Sequence, residues 1–180
     1  MKIGVLSDPH LRSDLQQAAI DKLLEEGAEY LLHAGDLCTE ENLRQLERAG
    51  IPYAAVFGNN DAPLRSLAGH YRIKPEPWYF KLRDLKVKMM HLPYYLTPDT
   101  DLVIYGHTHR FSIEMKGHTL YLNPGEICAR EKQLSECVLL ERHPDRWSLL
   151  YYSRDPFKSF WESEKHHFPL PSQDRSSKSV

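Results

Sequence analysis

Long apolar runs are missing from this chain of 180 residues: the longest spans five positions, Tyr53 to Phe57. A membrane-spanning helix needs about 20, so a helical membrane protein is excluded, in keeping with a mean hydropathy of −0.55. Cysteine is scarce. Cys38, Cys128 and Cys137 form no CxxC pair and cannot all pair with one another, which points to a reduced, cytoplasmic protein. Charge of one sign is not in excess either: 23 Lys and Arg face 25 Asp and Glu, a net −2. That balance leaves no electrostatic footprint for stable nucleic-acid binding. The first residues pass from Lys2 directly into a strand-like run, without a signal-peptide pattern. Repeats and linkers are absent as well. What the chain does carry is histidine, ten in all.

The first third alternates strand and helix. Residues 2–7 read as a buried strand ending at Asp8-Pro9-His10, and a helix follows with Ser13 and Gln16 placed as a capping box. Gly27 stops it. A second strand over 29–34 runs into Gly35-Asp36, Thr39 caps a second helix, and a third strand over 52–57 runs into Gly58-Asn59-Asn60-Asp61. Short connections predict a right-handed parallel βαβαβ unit, whose site lies at the carboxyl ends of its strands.

The remainder is β-rich. Strands are predicted over 78–82, 85–91, 101–105, 111–115, 118–122, 135–141 and 146–152, forming a second sheet packed on the first with helices outside. A short helix is expected within 153–165. The organisation expected is one domain over 1–165 and a flexible tail over 166–180.

Seven side chains sit where a predicted strand meets a loop: Asp8, His10, Asp36, Asn59, His91, His107 and His109. Imidazoles, carboxylates and an amide oxygen are ligands for Zn, Mn, Fe or Ni. Seven are too many for one tetrahedral site; they suit two divalent ions sharing a carboxylate. Two ions about 3.5–4 Å apart hold a hydroxide that attacks phosphorus in line, while they neutralise the phosphoryl charge.

Asp8-Pro9-His10, Gly35-Asp36, Gly58-Asn59-Asn60-Asp61, His91 and Gly106-His107-Thr108-His109 together resemble the five blocks of the calcineurin-like metallophosphoesterases. The compact spacing and Asn123-Pro124-Gly125 resemble their small prokaryotic YfcE-like phosphodiesterase branch. The resemblance implies an α/β four-layer αββα sandwich of two mixed sheets flanked by helices. It implies one metal on Asp8, His10, Asp36 and His109, another on Asp36, Asn59, His91 and His107, and Asp36 as the bridge. It also implies a phosphodiesterase acting on small phosphodiesters, cyclic nucleotides among them. Two alternatives stand beside it: a phosphomonoesterase with the same site, and a non-catalytic protein-binding scaffold like the retromer cargo-recognition subunit. Exposed edges of the second sheet leave room for a homodimer.

This chain departs from the family pattern at three places. Asn60 stands where many members have histidine and cannot act as a general acid; with Asn59 it is expected to help position phosphate. Leu92-Pro93 follows His91 in place of the usual glycine. Glu126 replaces the serine that commonly follows Asn-Pro-Gly, and as a carboxylate near the site it is expected to point away or shape selectivity. Arg12, Arg65, Arg72 and Lys74 read as solvated charges rather than a phosphate rim. Tyr94 and Tyr95 are candidates to line the pocket. His33, His70, His118, His143, His166 and His167 match no block and read as structural or surface residues.

Overall fold

The computed structural model describes residues 1–171. Its first part is the expected alternation: β1 (Lys2–Leu6), α1 (Ser13–Glu25), β2 (Tyr30–His33), α2 (Glu40–Arg48) and β3 (Tyr53–Val56). β1 pairs in parallel with β2, and β2 with β3, so each helix serves as a crossover. α1 buries Leu15, Ala19, Ile20 and Leu23, a stripe set by the helical period. Thr39 caps α2 as expected, its hydroxyl accepting from the Asn42 amide. The Ser13/Gln16 capping box does not form. Arg12 is the N-cap residue, and Gln16 turns inward to the Asn42 carbonyl, Gln45 and His33.

After a 3-10 turn at Ala62–Leu67, the two-residue β4 (Ile73–Lys74), too short to read from sequence, extends the sheet beside β3. A second mixed sheet of five strands follows: β5 (Trp78–Leu82), β6 (Leu85–Met89), β7 (Leu102–Ile104), β8 (Ser112–Lys116) and β9 (Thr119–Asn123), ordered β5-β6-β7-β9-β8. β10 (Ser135–Arg142) and β11 (Arg146–Arg154) do not join it, contrary to expectation. They return to the first sheet, where β10 lies antiparallel to β1, and with β12 (Glu162–Pro169) complete seven strands ordered β12-β11-β10-β1-β2-β3-β4.

The helix expected within 153–165 is absent, and the expected tail does not begin at His166. Glu162–Pro169 forms β12, paired along β11, with Phe168 packed on the inter-sheet core and His166 against Phe111. Side chains here alternate with period two, which suits an edge strand and gives no helical stripe. Residues 172–180, the rest of the expected tail, lie outside the described residues.

Two cores follow from that alternation. Cys137 and Leu139 of β10 face the helices with Leu6, Leu23 and Leu43, while Val138 and Leu140 face the second sheet with Val87, Leu102, Ile104 and Leu120. The α/β class and the two mixed sheets are as expected. The outer side of the second sheet, however, carries Met90, Val103 and Tyr121. On that side the fully buried Lys88 is held by Thr97 and Asp99 of the segment 92–100, and no helix follows β4 among the described residues. No helix among the described residues is long and apolar enough to cross a membrane.

Candidate metal centre

All seven predicted ligands converge at the strand ends. Five of them, Asp8, His10, Asp36, His107 and His109, have left-handed backbone, with φ between 49° and 67°. Asp, Asn and His tolerate that region best, yet each such residue still costs roughly 1–3 kcal/mol. The strain persists because the loops are tied to each other. The Asp8 amide donates to the Gly35 carbonyl and the His10 amide to the Asp36 carbonyl, both at 3.1 Å. Asp61 joins two loops, accepting from the Gly58 amide at 2.7 Å and the Cys38 amide at 2.6 Å. Asn123 donates to the Gly106 carbonyl at 2.8 Å and to Thr108 at 2.9 Å, which fixes the Gly-His-Thr-His loop. Gly58 must be glycine: a Cβ there would lie 2.2 Å from Asp36 Oδ1.

The donors fall into two sets. His10 Nε2 and Asp8 Oδ1 each lie 3.4 Å from His109 Nε2. On the other side, Asn59 Oδ1 lies 2.9 Å from His91 Nε2 and 3.1 Å from His107 Nδ1. Asp36 Oδ2 stands between the sets, 3.8 Å from His10 Nε2 and 3.4 Å from His91 Nε2. Asp8, Asp36, His91 and His109 are buried, whereas Asn59 and His107 are exposed at the mouth. Asn60 turns its side chain to Asp36 Oδ2 at 2.6 Å and its amide to Oδ1 at 2.8 Å.

Burial and close charges perturb the titratable groups of the cluster. Asp8 is fully buried, and its Oδ1 has no hydrogen-bond donor among the described residues. Burial pushes its carboxyl above the ordinary value, against the pull of His91. At His91 burial opposes charge, but the hydrogen bond to Asp36 and the charges of Asp8 and Asp36 outweigh it, raising the imidazole to about 9. At Asp36 burial opposes charge as well, and His91 and Asn60 hold the carboxyl well below its usual range. An orphaned carboxylate oxygen aimed at converging imidazoles is what a divalent ion requires, so the residues present fit a metal.

The candidate ligands are themselves braced. His91 Nδ1 donates to the Ala34 carbonyl at 2.8 Å, leaving Nε2 to the centre. His109 Nδ1 lies 2.5 Å from Glu126 Oε2. Glu126 therefore points into the site's support, not away from it, and only its place after Asn-Pro-Gly marks it in the sequence. Arg130, which sequence reasoning missed, brings a guanidinium Nη2 to 3.3 Å from His109 Nε2. Cys38 and Cys128 also border the centre, 3.6 Å from His10 Nδ1 and 3.8 Å from His109 Nδ1. Burial, with nearby carboxylates, pushes both thiols up to about 12, so they stay protonated.

Other expectations resolve simply. His33 is buried and structural: its Nδ1 accepts from the Gly35 amide at 3.2 Å, and its Nε2 bonds Gln16 at 3.1 Å. Arg12 pairs with Asp14. Arg65 lines a cavity of about 560 Å³ with Asn59, Phe57, Ala68, Pro75 and Leu92. Tyr94 and Tyr95 are exposed and do not line that cavity.

Comparison with known proteins places this geometry. A family model described as the calcineurin-like phosphoesterase superfamily domain matches residues 1–144. The "Phosphodiesterase MJ0936" of Methanocaldococcus jannaschii is 28% identical over 149 residues, covering 71% of this chain and 85% of that protein. The "Probable metallophosphoesterase" of Methanothermobacter thermautotrophicus is 33% identical over 141 residues, covering 69% and 76%. Among solved structures, a single mutant of Vps29 from Entamoeba histolytica superposes with a TM-score of 0.72 at 22% identity, covering 93% of this chain and 99% of that one.

Proposed function

The chain belongs to the calcineurin-like phosphoesterase superfamily, and from that premise we propose that it is a dinuclear metal-dependent phosphodiesterase of small phosphodiesters, cyclic nucleotides among them. The coarser statement, a metal-dependent phosphoric ester hydrolase, follows from the family and the donor set. The observation that carries the finer one is the position of Asp36 Oδ2 between His10 and His91. One ion would be held by Asp8, His10, Asp36 and His109, the other by Asp36, Asn59, His91 and His107. Mn, Ni, Fe and Zn all suit nitrogen and oxygen donors. When bound, the pair supplies an activated water and neutralises phosphoryl charge.

The chain's own residues do the rest. Arg130 offers a cation to a phosphoryl oxygen. The cavity that begins at Asn59 gives the ester group room. Asn60 is spent on Asp36 and supplies no proton, so acidic leaving groups are favoured over basic alkoxides. Likeness to Vps29 is one of fold and carries no argument about role.

The test is hydrolysis of an activated aryl phosphodiester and of its monoester by protein stripped with chelator and refilled with Mn²⁺, Ni²⁺ or Zn²⁺. Diester cleavage well above monoester cleavage, lost on stripping and restored by refilling, is expected. Monoester preference would make it a phosphatase. No turnover of either with metal bound would leave the scaffold reading.

A further inference from the structure

We propose that Glu126 is the positioning residue of the Asp8/His10/His109 half of the centre, fixing His109 with its proton on Nδ1 and its Nε2 turned to the metal. The inference rests on the metal-centre reading above. Glu126 is fully buried, and a buried carboxylate is costly unless its oxygens are satisfied. Here they are. Oε1 accepts the backbone amides of Glu131 at 2.6 Å and Lys132 at 3.0 Å. Oε2 faces His109 Nδ1 at 2.5 Å and receives the Cys128 thiol at 3.2 Å. The backbone is pinned as well: the Glu126 amide donates to Glu136 Oε2 at 3.0 Å, and the Glu136 amide donates to the Glu126 carbonyl at 2.8 Å.

A carboxylate with this many partners is not free to repel substrate phosphate. One of its partners is the predicted ligand His109, whose other nitrogen faces Asp8 and His10. An imidazole that gives its second N–H to a carboxylate is held in one tautomer and is a stronger donor to a metal. The two halves of the centre are therefore unequal: His109 is backed by a charge, whereas His91 is backed by the neutral Ala34 carbonyl. The same carboxylate folds the turn through Glu131 and Lys132, and so sets Arg130 beside His109.

The test uses the full chain, stripped and then titrated with Zn²⁺ or Mn²⁺ alone against a chelating dye, comparing wild type with Glu126→Gln. Glu126→Gln is expected to bind one ion roughly 10–100-fold more weakly and to leave the other within about threefold. Equal weakening of both ions, or of neither, overturns the inference. A second readout does not depend on the variant folding. Long-range ¹H–¹⁵N NMR of the stripped wild type at alkaline pH is expected to find the His109 proton on Nδ1; a proton on Nε2 overturns it. A wild type that takes up no metal defeats the dinuclear reading instead, and the NMR result then still decides what Glu126 does to His109.

Discussion

Asp36 gathers more of the centre than any other side chain, because its two oxygens serve both donor sets and both bonds from Asn60. Asp36→Asn keeps the shape, but it removes the charge and sets an amide NH₂ against the Asn60 donors. It is expected to take hydrolysis below detection and to weaken both ions, as counted by metal analysis after dialysis. The His107 imidazole is exposed and bonds only Asn59 among the described residues, while its backbone amide donates to Asp8 Oδ2, so His107→Ala is expected to release one ion and keep the other. Near-normal turnover in Asp36→Asn would remove the bridge. Arg130 is tested separately. A charge-assisted hydrogen bond to phosphate is worth about 1.5–3 kcal/mol, so Arg130→Ala should lower kcat/KM roughly 10–100-fold with metal content unchanged. An unaltered kcat/KM would make Arg130 a bystander.

At the scale of elements, β2 ties α1 to the centre through His33, which bonds Gln16 on one side and the Gly35 amide on the other. Burial, with the His91 charge, lowers His33 from the ordinary 6.5 to about 3. The fold thus demands the neutral ring. Its contribution is complete above pH 6.5 and is lost as pH falls from 6.5 towards 3, up to on the order of 4 kcal/mol. Urea denaturation at several pH values should show a shallower acid slope for His33→Gln than for wild type; parallel curves would contradict the assignment. The elements also show what can be read from sequence. The β1-α1-β2-α2-β3 unit and the five loops that carry the seven candidate ligands are legible, because short-range periodicity and strand-end motifs specify them locally. The return of β10 to β1 is not. Cys137, Val138, Leu139 and Leu140 are apolar on both faces, so the pattern fits either sheet. Glu126 is marked in the sequence by its place near the site, but its contact with His109, 17 positions away, is not revealed by spacing. The C-terminal strand reads as helix and tail because Pro and Ser mask a weak two-residue alternation.

The whole molecule sets strain against binding. Five candidate ligand positions sit in left-handed backbone, and a buried carboxylate oxygen lacks a donor among the described residues. At about 1–3 kcal/mol for each strained residue, that is a large fraction of the roughly 5–15 kcal/mol by which domains are stable. A cation that binds only the folded chain offsets the cost. At a free concentration about 100 times Kd each site adds about 2.7 kcal/mol, so two add about 5 kcal/mol. For a chain of this size each kcal/mol moves Tm by about 2–4 °C, giving a rise of roughly 10–20 °C when stripped protein is refilled. Calorimetry of stripped and refilled wild type should show it, His107→Ala should keep about half, and Asp36→Asn should show little. If refilling restores hydrolysis but leaves Tm where it was, the ions do not favour the folded chain over the unfolded one and do not offset the strain. The left-handed loops would then be held by the hydrogen bonds of Asp61, Asn123 and Glu126 alone.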